Sequence, residues 1–381
     1  MWKSRSRSHH LANITVMATK KKPDMYPHGL AVIADCHIGN LSAWGGPVGP
    51  NGLNRRGELT VATLRRACAR AVELNCDTLF VAGDMFHNRR PEPAVIAAVQ
   101  AVFSEAYGVG LKIIIVPGNH DMMDASAEGG NTACAPLWEC ATVVLAPRTE
   151  RGVFLVPYDS RVPMAQHLTE VLANKKLGAQ VLVTHVGVWD DLDAKASPWY
   201  RKAKDGMHTS LLFDAMEDAG ITMAFVGNYH QHRVWKRGSL TIVQVGTLCP
   251  GGFGDGGIVD RGLLAQCCEG VFSMHEIPGP RFITWDGTSD AGKGERKNAE
   301  NTYFGRQVGG VELSEVAKGY MGGYEYIPAQ DNETQGTPAE DYGGDSPDEA
   351  LAAYVEGMDL PAGVDKAAVL EMVKDCWKKA G

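Results

Sequence analysis

Seven residues able to hold a metal ion stand just beyond short apolar runs: Asp35, His37, Asp84, Asn119, His185, Asn228 and His230. His87, His120 and Asp121 lie beside them in the chain. Asp35 and His37 are two apart, as are Asn228 and His230, so each pair points to one side of an extended backbone and can grip one cation. Asp84 follows Gly83, which lets the chain turn sharply. A carboxylate so placed can bridge two cations at the separation of about 3.5–4 Å that two-metal sites use. Nitrogen and oxygen donors without thiolate suit Mn²⁺, Fe²⁺ or Zn²⁺. Two such cations activate a water, clamp a phosphate and steady the leaving oxygen. In Asn119-His120-Asp121 the amide can offer its carbonyl oxygen to a metal, the imidazole can stabilise or transfer charge, and the carboxylate can hold the imidazole tautomer. Alone, that stretch reads equally well as a turn with a capping Asp. The same chemistry recurring at five strand ends does not.

These groups meet only if the strands bearing them end together. Leu30-Ala31-Val32-Ile33-Ala34 runs into Asp35-Cys36-His37, residues 77–82 run into Gly83-Asp84-Met85-Phe86-His87, and residues 111–116 run into Pro117-Gly118-Asn119. Residues 180–183 end at Thr184-His185, and residues 223–226 at Gly227-Asn228-Tyr229-His230. Short, β-branched, uniformly apolar runs predict buried parallel strands, and ligands of α/β sheets collect beyond strand carboxyl ends. Val61, Leu64, Cys68 and Val72 recur at helical spacing and predict a helix over 54–74. Pro91 is placed to open another over 92–107, and helices are expected over 164–177 and 211–219. Residues 240–245 and 263–275 are expected as antiparallel strands closing the sheet. Residues 39–52, rich in Gly and Pro, read as a functional or mobile loop. Residues 189–208 read as a solvated surface loop, with substrate gating as the alternative.

The totals set outer bounds. A chain of 381 residues, 44% hydrophobic and 22% charged, is expected to be soluble and globular with about two domains. No run of eighteen apolar residues occurs, so no membrane span or membrane partner is expected. A formal net charge of −8 excludes attraction of nucleic acid by a global field; such a partner must be met by local basic patches and metals. Nine cysteines, single apart from Cys267-Cys268 and without CxxC spacing, predict reduced thiols buried as small hydrophobes in a cytoplasmic protein. Residues 1–28, with Lys3, Arg5, Arg7 and Lys20-Lys21-Lys22, read as a basic, disordered tail or as an extension ahead of a start at Met17. Beyond residue 278 the composition turns polar: 286–302 and 328–348 read as linkers, 308–326 as a small capping element, and 347–357 and 364–379 as two short helices. The apolar stripe of Val364, Ala368, Leu370, Met372, Val373 and Trp377 suits packing on its own domain or docking on a partner.

The order Asp-x-His, Gly-Asp, Gly-Asn-His-Asp, Thr-His, Gly-x-x-His resembles the signature of the calcineurin-like metallophosphoesterases. Within them the chain looks like the branch of double-strand-break repair nucleases of the SbcD type. Gly83-Asp84-Met85-Phe86-His87, Val153-Phe154-Leu155-Val156-Pro157-Tyr158 and Ile277-Pro278-Gly279-Pro280-Arg281-Phe282 are similar to that branch. The resemblance implies an α/β fold: a two-sheet sandwich flanked by helices, with a small C-terminal capping or partner-binding extension. It divides the chain into the tail 1–28, a nuclease domain 29–285, a linker and capping element 286–346, and C-terminal helices 347–381 for partner binding.

The resemblance further implies two divalent ions, Mn²⁺ foremost. One would be held by Asp35, His37, Asp84 and His230, the other by Asp84, Asn119, His185 and residue 228. His120 would stabilise the transition state or protonate the leaving group, oriented by Asp121, and His87 would position the phosphate or nucleotide. DNA is the implied substrate, with a homodimer through residues 92–107 and an SbcC-type ATPase as partners. The sequence departs from the family at Asn228, where the pattern has His; a neutral amide binds such a cation more weakly, so occupancy of the second site is expected to fall. The leading expectation is an exo- and endonuclease acting in DNA repair and recombination. The alternatives are a phosphatase or small-substrate phosphodiesterase on the same scaffold, and a DNA-binding subunit whose catalysis Asn228 has weakened.

Overall fold

A computed structural model describes residues 29–173, 177–197, 199–252, 262–268, 270–285, 302–308, 323–327 and several positions from 365 to 374. The tail 1–28, most of 286–346 and nearly all of the C-terminal helices 347–381 lie outside the described residues. The chain divides into two compact units, Met1–Ile327 and Pro328–Gly381. In the second, residues 366–368, 370–371 and 374 are helical.

The first unit is built on two six-stranded sheets. One contains β1 (Gly29–Ile33), β2 (Cys76–Ala82), β3 (Lys112–Val116), β4 (Thr142–Val143), β13 (Gly262–Cys268) and β14 (Val271–Ile277), in the order β14-β13-β1-β2-β3-β4. The other contains β5 (Arg148–Glu150), β6 (Val153–Val156), β7 (Val181–His185), β10 (Met223–Gly227), β11 (Arg233–Arg237) and β12 (Leu240–Gln244), in the order β11-β12-β10-β7-β6-β5. The strands β1 to β4 run parallel, as do β6, β7, β10 and β12. A two-stranded ribbon pairs β8 (Gly187–Trp189) with β9 (Gly206–His208), and a three-stranded sheet joins β15 (Pro280–Trp285), β16 (Thr302–Val308) and β17 (Gly323–Ile327).

Period-two alternation in the strands builds the layers. Val32, Phe80 and Ile114 of the first sheet meet Leu155, Val183 and Phe225 of the second in one buried cluster, so the sheets pack face to face. Their neighbours Ile33, Leu79 and Ile115 turn the other way onto α1 (Arg55–Glu73) and α2 (Pro93–Gly108). Leu182, Ala224 and Ile242 likewise turn onto α3 (Met164–Leu172) and α6 (Thr209–Ala219). Helices, sheet, sheet and helices form the expected α/β sandwich. It needs uniformly apolar strands because both faces of each sheet are covered.

Several local expectations change. Asn54 caps α1 by accepting from the Gly57 N–H at 2.8 Å, whereas α2 opens at Pro93 rather than Pro91. The strand β12 is antiparallel to β11, as expected, but parallel to β10, and the expected antiparallel stretch 263–275 is two strands, with β13 antiparallel to both β1 and β14. Within residues 189–208, α4 (Asp191–Ala196) and α5 (Trp199–Lys202) follow β8 and precede β9 in the chain. Of the eight described cysteines, all free, seven are buried and Cys268 is exposed. Among the described residues, no helix is long and apolar enough to cross a membrane.

Candidate metal centre

The carboxyl ends of β1, β2 and β3 from one sheet, and of β7 and β10 from the other, open onto the same place. Three overlapping groups result: Asp35 with His37 and His230; His37 with Asp84 and His120; Asp35 with Asp84 and His185. Within each, one ligand atom per residue lies within 4.8 Å of the others. Asp35, His37, Asp84 and His185 are buried, and His120 and His230 are partly exposed.

Close backbone approach makes this crowding possible. A Cβ on Gly83 would fall 1.9 Å from His185 Nδ1, and one on Gly118 would fall 2.3 Å from Asp84 Oδ1. The glycines ahead of Asp84 and Asn119 are therefore required by the space the acidic and imidazole side chains occupy. Asp35, His37, Asp84 and Asn228 themselves have φ of 49°, 45°, 50° and 92°, in the left-handed region that non-glycine residues rarely adopt. Strain of this kind persists only where the surroundings enforce it, and it clusters at functional sites.

The hydrogen bonds define which atoms face inward. His185 Nδ1 lies 2.9 Å from the carbonyl oxygen of Ala82, so an Nδ1–H donates across from one sheet to the other. Its Nε2 then confronts two acceptors, Asn119 Oδ1 at 2.9 Å and Asp84 Oδ1 at 3.3 Å. His37 Nε2 meets His230 Nε2 at 3.1 Å and stands 3.7 Å from Asp84 Oδ2. Lone pairs aimed at one another in a buried space need a proton or a cation between them. A carbonyl-anchored imidazole with its other nitrogen turned inward is the usual arrangement of a metal-binding histidine. His37 differs, since its Nδ1 is buried with no hydrogen-bond partner among the described residues.

Electrostatics follow the burial. Desolvation pushes Asp35 up to about 6 against the pull of His185 and His230. It drives His37 down to about 3, so that imidazole is neutral at pH 7. At the Asp84–His185 pair, burial opposes both charges but their mutual attraction wins, lowering Asp84 and raising His185 to about 10. A divalent cation would take the place of the proton shared there. Desolvation also lowers His87, whose ring lies 5.9 Å from His37 and 6.3 Å from His120.

Two residues sit differently from expectation. Asp121 does not orient His120: its carboxylate is buried and accepts from the backbone N–H groups of Gly118 at 2.9 Å, Phe86 at 3.0 Å and Met85 at 3.1 Å. The partner of His120 Nδ1 is instead the carbonyl oxygen of His87, at 2.9 Å. Asn228 directs its side-chain Nδ2 to the Asp205 carbonyl at 3.1 Å, which leaves Oδ1 as its remaining lone-pair atom. Tyr158, given no site role by its sequence, packs edge-on to His185 with ring centroids 6.5 Å apart. Only its place just after an apolar strand hinted at this.

The sequence profile of the calcineurin-like phosphoesterases matches residues 29–245. The chain belongs to that family. The matched residues of this phosphoesterase run from β1 to just beyond β12 and include all five strand ends of the metal centre. No curated protein matches the chain significantly. Among solved structures it is similar to a dimetal phosphatase from Danio rerio, at 13% identity and a TM-score of 0.39, over 66% of this chain and 96% of that one. It is similar also to an archaeal phosphodiesterase, at 11% identity and a TM-score of 0.34 over 65% and 99%. Phosphopantetheinyl hydrolase from Mycobacterium tuberculosis gives 13% and 0.33 over 58% and 91%. Metallophosphoesterases use two divalent metal ions, and the crowded nitrogen and oxygen donors here have the chemistry to take such a pair.

Proposed function

We propose that this phosphoesterase is a Mn²⁺-dependent DNA nuclease of the SbcD type, hydrolysing phosphodiester bonds as an exo- and endonuclease in DNA repair and recombination. Asp35, His37, Asp84 and His230 would hold one ion, and Asp84, Asn119, His185 and Asn228 the other. Bound there, two divalent ions supply the positive charge that draws in the phosphate and acidifies a water molecule. Asp84, with Oδ2 toward His37 and Oδ1 toward His185, would serve both ions. His120, whose Nδ1–H is engaged by the His87 carbonyl, has Nε2 left to meet charge or deliver a proton to the departing oxygen. The observation that carries the nuclease reading is His87. Its neutral imidazole stands beside His37 and His120, within reach of a phosphate or nucleoside held at the centre.

The reading extends to a homodimer through α2, an SbcC-type ATPase partner engaged by the C-terminal helices, and a cytoplasmic setting. End-labelled duplex and single-stranded DNA, incubated with Mn²⁺ or Mg²⁺, test the activity. Cleavage with Mn²⁺ that is lost on adding EDTA and in Asp84→Asn is expected. Turnover of bis(p-nitrophenyl) phosphate with no cleavage of either DNA would overturn the nuclease in favour of a small-substrate phosphodiesterase. Size-exclusion chromatography with the ATPase subunit, using the chain cut after Phe282, tests the partner; unchanged co-elution would remove the C-terminal helices from that role.

A further inference from the structure

Tyr229 stands between two of the proposed metal ligands, and its ring belongs to an aromatic cluster with Trp199 and Tyr200 of α5. Ring centroids lie 5.9 Å apart for Trp199 and Tyr229, 5.7 Å for Tyr200 and Tyr229, and 5.3 Å for Trp199 and Tyr200. The Tyr229 ring is fixed against the β8–β9 ribbon so tightly that a Cβ on Gly187 would fall 2.3 Å from it. The ribbon is tied to the metal centre in turn, because the Asp205 carbonyl accepts from both Gly187 N and Asn228 Nδ2. Trp199 nevertheless stays 55% exposed, so the cluster has one open aromatic face.

Charges of both signs belong to this region: the carboxylates of Asp205 and Asp193 act on Tyr229, Asp193 being paired with Arg233. Although the chain carries a formal net charge of −8, Arg201, Lys202 and Lys204 follow Trp199-Tyr200 directly. All three are exposed, and none forms an ion pair with a described residue. An exposed indole followed in the chain by exposed cations suits an unpaired polynucleotide strand, whose bases stack on the ring while its phosphates meet the positive charge. A small phosphate ester would have no bases to offer.

We propose that Trp199, Tyr200 and Tyr229, with the cations of residues 201–204, form a platform on which a base of single-stranded DNA stacks next to the scissile phosphate. The proposal rests on the nuclease reading and adds to it the class of strand held and the residues that hold it. Trp199 supplies the open stacking surface, and Tyr229 fixes that surface relative to the metal centre.

The test uses the full chain in EDTA, so that nothing is cut, and fluorescence anisotropy of two labelled fifteen-mers, one of thymidines and one of abasic spacers. Stacking predicts about tenfold tighter binding of the thymidine strand. Trp199→Ala should reduce that preference to about twofold, and Trp199→Phe should keep most of it; circular dichroism checks that both variants fold. Equal affinity of the wild type for the two strands, or an unchanged preference in Trp199→Ala, would overturn the platform. If DNA is cleaved with Mn²⁺ while the base preference is absent, the platform fails and the nuclease stands. If the base preference is present and DNA is never cleaved, the platform stands as a polynucleotide site and the nuclease fails.

Discussion

The backbone N–H of Asn228 donates to both carboxylate oxygens of Asp35, at 3.0 and 3.1 Å, across 193 residues of sequence. The bond joins the end of β10 in one sheet to the end of β1 in the other. It does not depend on the side chain at 228, so the position holds Asp35 in place whichever residue occupies it.

For that reason Asn228→His is expected to keep the centre assembled while adding an imidazole donor. Histidine, like asparagine, tolerates positive φ better than most residues, so the backbone at 92° does not forbid it. Metal content by mass spectrometry and Mn²⁺-dependent phosphodiester hydrolysis should both rise. A variant with neither gain would show that Asn228 does not limit the second site.

Gly118→Ala should cripple the centre. The new methyl would sit 2.3 Å from Asp84 Oδ1 and 2.4 Å from Asp84 N, with His185 Cδ2 2.9 Å away, so the Asp84 carboxylate must move. Overpacking of this kind costs about 1–3 kcal/mol, and a displaced catalytic group costs about a hundredfold in rate. Thermal melting and steady-state kinetics on the same preparation measure both; wild-type turnover would refute the steric argument.

Asp121→Asn probes a residue that organises loops without touching His120. An amide oxygen in the Oδ2 place can still accept from Gly118 and Met85, but the NH₂ then faces the N–H of Phe86. Leaving such donors unsatisfied costs about 1–3 kcal/mol each. Urea denaturation should show a loss of that size, while the pH optimum of the folded variant stays where it was. A shifted optimum would return Asp121 to the role of tuning His120.

Acid stability provides a check away from the centre. Asp190 caps α4 by accepting from Leu192 N and Asp193 N, and its other oxygen takes the Trp235 indole N–H at 2.9 Å and Arg233 at 2.7 Å. Burial raises its pKa, but these bonds outweigh it and hold the carboxyl below the ordinary 3.8. A depressed carboxylate contributes stability above its unfolded pKa and loses it as pH falls through the folded one. Asp190→Asn should therefore melt lower than wild type by a constant margin from about pH 5 to 8, and the margin should close below about pH 4. A margin that widens in acid would contradict this sign.

How far residue types lead can be judged element by element. The runs ahead of Asp35, Asp84, Asn119, His185 and Asn228 read as buried strands because they are short and rich in β-branched residues, and three of them are closed by Gly or Pro-Gly. Their two-sheet arrangement came only through family resemblance, because periodicity cannot say which strand pairs with which. For the same reason the antiparallel expectation for β12 holds on its β11 side and not on its β10 side. Side-chain chemistry suggested that Asp121 faces His120, but a buried Asp is drawn first to the nearest unpaired backbone N–H groups. The Trp199–Tyr229 cluster was hidden by thirty positions of chain, and a string such as Trp-Tyr-Arg-Lys reads as surface loop until a second element brings another ring to it.

The left-handed backbones at Asp35, His37, Asp84 and Asn228 set this enzyme's robustness against its purpose. Each costs about 1–3 kcal/mol that glycine in the same place would not incur. Replacing Asn228 with Gly, which keeps the backbone N–H bonds to Asp35, should therefore give a chain that withstands heat better and binds metal less well. A population bred for thermal endurance alone would be expected to lose these four residues early, and any lineage that keeps them does so because the reaction is worth the fragility.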